Sequence, residues 1–324
     1  MSSYLFQVSQ LKKYQDFLNK ITKGSHAIIL HSEDTILQDI IAKLFVMNFE
    51  CENDMVPCMY CTSCQKIMDN NALDVKVFGE NKSIVVEDSN FIVQDSFVLP
   101  YEFKNKYYIL KNFENATPQA QNKLLKVIEE PQSYVKFVLL VNNLDAVLST
   151  IKSRCEIFDV PRFDTLELKN IFDFRVGDGK KVSFGAEYAS GNLTKLTQIY
   201  EDDDFQDIYA LCVRLLTNLK TSADVLEYSS QILKLKDKFQ TFVEILILMY
   251  RDILTIQQSK PELIENKEQQ NILTVLANGI SSKAVINIIQ ELQGVKEKLK
   301  YNANISGVVD SLLLKILEIK HLCK

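Results

Sequence analysis

The sequence of 324 residues is 47% hydrophobic and 24% charged, which is typical of a folded protein and excludes wholesale disorder. Its 9 glycines and 6 prolines are fewer than half the usual share, which argues against a many-stranded sandwich or barrel and favours long helices. With 37 basic and 42 acidic residues the net charge is −5, so the chain is not a nucleic-acid binder that works alone by neutralising phosphates.

The first fifty residues predict a helix, a strand and a second helix. Apolar residues at helical spacing predict the first helix over 8–22, with Ser9 as its N-cap. The short apolar run at 27–30 predicts a buried strand, and residues 36–49 return to helical spacing.

The alternation of strands and helices continues to about residue 141. Further strands are predicted at 74–78, 106–110 and 137–141, with helices at 87–97 and after Thr117. Thr117 and Pro118 form a typical helix start, because a capping hydroxyl precedes a proline at the first helical position, and Pro131 ends that helix. Five consecutive apolar residues at 137–141 are typical of a central strand. This order predicts a parallel sheet flanked by helices.

The pattern changes near Pro161, after which no buried strand is predicted. Short helices follow over 163–200, with interruptions at Gly177, Gly179 and Gly191. Everything after the acidic residues 202–204 is helical in pattern.

These changes divide the chain into three predicted domains. An α/β domain spans residues 1–160, a small helical domain 161–203, and a larger all-helical domain 204–324. Apolar stripes run along 285–299 and 308–317 of the last domain. Such stripes are more typical of core than of an interface, although a helical domain that assembles with others needs both.

No apolar stretch approaches the roughly 18 residues that a membrane span needs. The first residues, Met1 to Gln7, lack a basic segment followed by an apolar one, so no secretory signal is predicted. We therefore expect a cytoplasmic protein without a membrane partner, in which the seven cysteines are reduced, buried or metal-bound rather than paired in disulfides.

Four of the cysteines, Cys51, Cys58, Cys61 and Cys64, lie within fourteen residues in the pattern C-x6-C-x2-C-x2-C. Two-residue gaps allow successive thiolates to converge on one tetrahedral ion at about 2.3 Å, so the pattern predicts zinc. Four thiolates leave no open coordination position, which makes the predicted site structural rather than catalytic. Four unrelated reduced thiols, or an iron–sulfur cluster, are the alternatives.

An α/β domain of this order invites a search for nucleotide-binding motifs. The phosphate-binding pattern G-x-x-x-x-G-K-[ST] is absent from the sequence. Residues 31–39, where such a loop should follow the first strand, contain no glycine and carry the three acidic residues Glu33, Asp34 and Asp39, which would repel a triphosphate. The three histidines form no metalloprotease motif and no nucleophile–histidine arrangement, so no catalytic constellation is predicted.

Several motifs together resemble the clamp-loader branch of the AAA+ family. The matching segments are residues 24–27, the four-cysteine module, the string Asn122-Lys123-Leu124-Leu125-Lys126-Val127-Ile128-Glu129-Glu130-Pro131, Ser153-Arg154-Cys155, and Asn302-Ala303-Asn304 before the last helix. The resemblance implies an AAA+-like sheet with a zinc module, then a small helical lid domain and a helical collar domain.

The departures from this family suggest which kind of subunit the chain is. The ATPase members have an Asp-Glu pair after the second strand, where this chain has Lys111 and Asn112. The family's sensor arginine aligns near Thr194. The resemblance therefore implies that the chain binds no ATP in a site of its own. Arg154, however, is retained between Ser153 and Cys155, and the family uses this arginine as a finger on the ATP of a neighbouring subunit. Without the resemblance, Arg154 would be interpreted as a surface ion pair.

The resemblance thus implies a non-catalytic subunit of the clamp loader of a replicative DNA polymerase. Its partners would be ATPase subunits and a clamp-opening subunit in a hetero-oligomeric ring, with the sliding clamp and primer–template DNA reached through the assembled complex. Two alternatives stay open: an ATPase-type subunit with a degenerate site that binds nucleotide weakly, and a zinc-stabilised helical adaptor outside replication.

Overall fold

The computed structural model describes residues 2–23, 26–53, 57–176, 185–201, 204–235, 238–259, 264, 266, 269–299 and 305–322. The chain divides into two compact units, Met1–Gly177 with Gly191–Lys195, and Asp178–Ser190 with Leu196–Lys324. The three-domain division at 160 and 203 stays a prediction. The predicted features at Gly24, Ser25, Gly177, Gly179, Asp202, Asp203 and 302–304 lie outside the described residues.

The first unit alternates strands and helices over most of its length. Its strands are β1 (Ala27–His31), β2 (Val75–Phe78), β3 (Lys106–Leu110), β4 (Val135–Val141) and β5 (Glu156–Asp159). Its helices are α1 (Ser2–Gln10), α2 (Lys12–Ile21), α3 (Thr35–Glu50), α4 (Thr62–Met68), α5 (Val86–Asp95), α6 (Pro118–Glu129), α7 (Ser149–Lys152) and α8 (Thr165–Val176).

The five strands form one parallel sheet in the order β2-β3-β4-β1-β5. The central strand is β4, whose Val138 lies beside Ile28 of β1 on one side and Ile109 of β3 on the other. Six of the seven β4 residues are buried, since helices cover both faces of a parallel sheet. The fold is AAA+-like, as predicted, and the predicted central strand is confirmed.

Local capping explains where two helices of this unit begin. The Thr117 hydroxyl accepts a hydrogen bond from the Ala120 N–H at 3.2 Å, and Pro118 is the first residue of α6, so the predicted helix start is confirmed. Asp34 caps α3 in the same way, accepting from the Leu37 N–H at 3.0 Å.

Two expectations about local structure are wrong. The predicted helix over 8–22 is two helices, because the backbone is extended at Leu11; Ser9 lies inside α1 and donates to the Phe6 carbonyl at 2.7 Å instead of capping. Strand β5 went unpredicted. It lies at the sheet edge, and its two apolar residues, Ile157 and Phe158, stand between Glu156 and Asp159, which is too short an apolar run to be recognised.

The second unit is helical throughout its described part. A helical segment covers residues 185–189, and α9 (Leu193–Glu201) contains the boundary between the units. The helices that follow are α10 (Asp204–Asn218), α11 (Ser222–Leu233), α12 (Phe239–Gln257), α13 (Gln270–Gly279), α14 (Ser282–Leu299) and α15 (Ile305–Leu322).

The two apolar stripes of the second unit lie in its own core. Ile288 and Leu292 of α14 and Leu313 and Ile316 of α15 are fully buried in one cluster. Cys212 is buried in the same cluster, as expected for a small core residue. Since these stripes are covered within the unit, any assembly surface must use other residues.

Among the described residues, no single helix is long and apolar enough to cross a membrane. One pair, Gln270–Gly279 with Ser282–Lys298, reaches that length and composition only together and is bent by 112° at the break.

Candidate functional site

The loop between β1 and α3 is closed around the carboxylate of Asp34. Asp34 is 2% exposed and accepts hydrogen bonds from the backbone N–H groups of Leu37 (3.0 Å), Leu193 (2.5 Å) and Thr194 (3.1 Å). The Thr194 hydroxyl donates a further bond to Asp34 at 2.7 Å. The amino end of a helix is a common anion site, because unpaired N–H groups and the helix dipole converge there. In this chain the anion at that position is its own side chain.

Thr194 is the second part of this closure. Its hydroxyl oxygen accepts a hydrogen bond from the Ile36 N–H at 2.8 Å and lies 3.2 Å from the Thr35 hydroxyl oxygen. Thr194 stands where the clamp-loader resemblance places a sensor arginine, and Asp34 stands within the loop predicted to lack phosphate-binding features. The structure therefore brings these two positions into direct contact, because the neutral Thr194 hydroxyl donates to the acidic Asp34 carboxylate.

Lys111, at the position of the family's first acidic residue, forms two ion pairs. Its ammonium lies 2.6 Å from the Asp39 carboxylate and 3.0 Å from that of Glu80. Burial alone lowers the pKa of Lys111, but the two carboxylates outweigh this and hold the pKa above its ordinary value. A cation therefore lies where the clamp-loader resemblance places an acidic residue.

The neighbouring Asn112 turns the chain back after β3. Its backbone is left-handed, with φ at 48°, and its amide donates to the Gly79 carbonyl at 3.1 Å. Gly79 itself has φ at 81°, and a Cβ there would lie 2.1 Å from the Lys111 carbonyl oxygen, so only glycine fits. Asn112 thus makes a structural hydrogen bond, and its side chain is an amide rather than a carboxylate.

The four cysteines of the spaced cluster come together at the carboxyl end of α3 and the amino end of α4. Cys51 follows α3, and Cys61 caps α4 by accepting from the Cys64 N–H at 3.5 Å. All four Sγ atoms lie within 4.8 Å of one another. Four thiolates at about 2.3 Å from one tetrahedral ion would lie about 3.8 Å apart, so the cluster fits a four-coordinate metal.

The surroundings of the cluster favour the thiolate at Cys58, whereas burial raises the pKa of the Cys51 and Cys64 thiols. The Cys58 sulfur accepts hydrogen bonds from the Asn53 side chain at 3.2 Å and the Cys61 N–H at 3.3 Å. Burial raises the pKa of the Cys58 thiol, but bonds from the backbone of Tyr60 and Cys61 and from Asn53 outweigh it and bring the pKa to about 6. Met59 adopts a left-handed conformation, with φ at 68°, which turns the chain within this knuckle. The cluster could therefore hold a metal ion.

Arg154 follows α7 and is 31% exposed at its side chain. Its Nε donates to the Glu129 carboxylate at 2.9 Å, and its Nη1 donates to the Thr150 carbonyl at 3.0 Å. The guanidinium is thus held at the surface with part of its donor fork facing outward. The surface ion pair considered from the sequence is present.

The residues on either side of Arg154 have structural contacts. Ser153 donates from its hydroxyl to the Thr150 carbonyl at 3.1 Å. Cys155 is buried, and burial raises the pKa of its thiol to about 12, so it is not a reactive thiolate. Ser153 is exposed but carries only a neutral hydroxyl, so Arg154 is the one charged group of the three.

Sequence reasoning missed three buried carboxylates. From the sequence, Asp34 was interpreted only as a negative charge that repels a triphosphate, although an Asp before a helical pattern is a recognised N-cap signal. Asp74 accepts from the backbone N–H groups of 101–103, and Glu50 from those of 104 and 105. Nothing in the sequence pattern indicated these two anchors, because their donors lie about 30 and 55 residues away.

Comparison with known families gives two matches that together cover most of the chain. Residues 7–164 match the family model described as DNA polymerase III, delta subunit. Residues 202–317 match the model described as DNA polymerase III, delta subunit, C terminal.

Individual relatives agree with these families. DNA polymerase III subunit delta' of Bacillus subtilis is 24% identical over 311 residues, covering 93% of this chain and 94% of the relative. DNA polymerase III subunit gamma/tau of Mycoplasma pneumoniae is 30% identical over 171 residues, 49% of this chain and 25% of the relative. Among solved structures, a gamma subunit-related protein of Thermotoga maritima is 18% identical, with a TM-score of 0.46 over 94% of this chain and 99% of that one.

The contacts of Asp34 give the first testable prediction. Asp34→Asn replaces one acceptor oxygen by a donor NH₂ that faces other N–H groups, which should lower the free energy of unfolding by about 2–3 kcal/mol. Urea denaturation followed by circular dichroism measures this change. Glu33→Gln is the matched control, because Glu33 is exposed and its pair with Arg162 is worth about 0–1 kcal/mol. Equal loss of stability in the two variants would contradict the anchoring role of Asp34.

Proposed function

We propose that this chain, which belongs to the DNA polymerase III delta subunit family and is a clamp-loader subunit, works without hydrolysing ATP itself. The observation that carries the proposal is the Asp34 carboxylate in the anion position at the amino end of α3. A triphosphate at that position would meet a buried negative charge and N–H groups that are already paired. Lys111 in place of an acidic residue removes a magnesium ligand as well.

Arg154 supplies the chain's contribution to chemistry in the complex. Phosphoryl transfer spreads negative charge over the equatorial oxygens of the γ-phosphate, and a guanidinium fork that reaches those oxygens stabilises the transition state. Arg154 is partly exposed, and Glu129 and Thr150 hold its side chain in one orientation. In our proposal this fork acts in trans, on ATP bound by the adjoining subunit.

The proposed partners are ATPase subunits and a clamp-opening subunit, arranged with this chain in a hetero-oligomeric ring. The sliding clamp and primer–template DNA are engaged by the complete complex, since a chain of net charge −5 contributes little phosphate neutralisation alone. Residues 161–203 are proposed as the lid domain and 204–324 as the collar that joins the subunits.

The cysteine cluster is proposed as a structural zinc site with Cys51, Cys58, Cys61 and Cys64 as its ligands. A bound ion would cross-link the end of α3 to the start of α4. All four ligands are thiolates in this proposal, so the ion supplies stability and no catalysis.

The zinc proposal predicts about one zinc ion per chain in protein purified without chelator. Cys64→Ser should lose most of this zinc, whereas Cys155→Ala should retain it, because Cys155 is buried elsewhere in the first unit. Elemental analysis gives the stoichiometry, and alkylation of the thiols reports their protection. Absence of zinc in the wild type, or equal zinc in both variants, would refute the site.

The finger proposal predicts that Arg154→Ala leaves the isolated chain folded, with a stability change below about 1 kcal/mol. In the reconstituted complex the same variant should slow ATP hydrolysis at the adjoining site by roughly 10³-fold. Arg154→Lys should restore little, because a point charge does not reproduce the planar donor fork. Single-turnover ATPase measurements on the assembled complex test this.

The control for Arg154 is Arg162→Ala. Arg162 also forms an exposed ion pair, with Glu33 at 2.9 Å, and is 59% exposed. It should leave turnover unchanged. If a correctly assembled Arg154→Ala complex hydrolyses ATP at the normal rate, the finger proposal is refuted. Arg154 then has no role beyond its surface ion pair.

A further inference from the structure

The segment between α5 and β3, residues 96–105, has no helix or strand structure, and its second half is held by two buried carboxylates. Asp74 is fully buried and accepts hydrogen bonds from the backbone N–H groups of 101, 102 and 103 at 2.8, 2.7 and 3.0 Å. Glu50 accepts from those of 104 and 105 at 2.9 and 3.2 Å. Because five successive N–H groups depend on two side chains, the backbone at 101–105 follows the positions of Asp74 and Glu50.

The contacts of this segment lead to both helices of the cysteine cluster. Glu50 is the last residue of α3 and directly precedes Cys51. On the other side, Lys66 of α4 forms an ion pair with Glu102 of the segment. Glu102 also accepts a hydrogen bond from the Leu73 N–H, just after α4, at 2.7 Å. The segment is therefore attached to each of the two elements that carry the cysteines.

Helix α4 has few contacts that fix its position without the cluster. It is seven residues long, too short to be stable alone, and its buried residues are Cys64 and Ile67. A cavity of about 290 Å³ lies between α3, α4 and strands β2 and β3, and Ile67 lines it. The Lys43 ammonium adds a hydrogen bond to the Met68 carbonyl at 3.2 Å. Since Cys64 is one of the two buried residues, a metal ion at the cluster would supply much of what attaches α4 to α3.

The segment also carries exposed apolar side chains. Phe97, Leu99 and Tyr101 are 66%, 68% and 77% exposed, although all three are large and lie within five residues. Exposed apolar side chains so close together are uncommon on a folded domain. They lie next to the backbone that Asp74 and Glu50 hold, so a movement of these anchors changes this surface.

We propose that metal binding at the cysteine cluster sets the conformation of residues 96–105. The ion fixes the end of α3 against the start of α4, and these helices hold the segment through Glu50 and Lys66. The cluster thus controls a surface segment more than thirty residues away in sequence, in addition to stabilising its own loop. The inference rests on the proposed zinc site.

Hydrogen–deuterium exchange tests the coupling on the full chain, compared with zinc bound and after zinc has been removed under reducing conditions. The amides of 101–105 should exchange roughly tenfold faster without zinc, because local opening is governed by the contacts that hold the segment. Strand β4 and helix α6 lie in the core of the same unit and serve as internal controls. Their exchange should be unchanged.

A reciprocal measurement uses Glu102→Ala, which removes the ion pair with Lys66 and the acceptor for the Leu73 N–H. If zinc orders the segment, loosening the segment must weaken zinc binding, and we expect a loss of roughly fivefold in affinity. Competition with a chromophoric zinc chelator measures this. Glu33→Ala is the matched control, because it also removes a glutamate from a surface ion pair, with Arg162, and should bind zinc as the wild type does. Melting curves check that both variants are folded.

The outcomes separate this inference from the zinc site itself. If the wild-type chain binds no zinc, the proposed site and the coupling fail together. If it binds zinc and the amides of 101–105 exchange at the same rate with and without the ion, the coupling alone is wrong. Equally faster exchange in β4 and α6 would also overturn it, because zinc would then support the whole unit. Equal zinc affinity of the Glu102 and Glu33 variants would contradict the reciprocal effect.

Discussion

The structure of the first unit depends on one buried carboxylate at a helix terminus. Asp34 gathers N–H groups from its own helix and from residues 193 and 194, about 160 positions later in the chain. A buried charge is tolerated only where several donors surround it, so both segments are fixed by the same requirement. The anion-binding capacity that an α/β fold offers at this point is thereby used up internally.

In our proposal this arrangement allows a subunit with an AAA+-like fold to take part in ATP-driven work without a nucleotide site of its own. Asp34 fills the anion position at the amino end of α3, and Lys111 is paired with Asp39 and Glu80. Arg154, in contrast, keeps a partly exposed guanidinium. In our proposal the buried carboxylate of Asp34 disfavours phosphate in this chain. The surface guanidinium of Arg154 can then act on a phosphate held by a neighbouring subunit.

Much of the fold could be predicted from the sequence because its signals are local. Strands β1, β3 and β4 are continuous apolar runs, and Thr117-Pro118 marks its helix start by composition alone. The cysteine cluster follows from spacing. Strand β5 could not be found, since its two apolar residues stand between two acidic ones and form too short a run. The contacts of Asp34 with Thr194 were also out of reach, because hydrogen bonds between distant segments leave no periodic trace, and the interpretation of Arg154 as a finger depends on family resemblance.

In our proposal Asp34 and Lys111 prevent nucleotide from binding to this chain. Isothermal titration of the full chain with Mg²⁺-ATP tests it most directly, with an ATPase subunit of the same complex as the positive control. We expect no saturable binding up to millimolar nucleotide, whereas the control binds. Micromolar binding by this chain, weakened by substitutions in its own β1–α3 loop, would contradict the account.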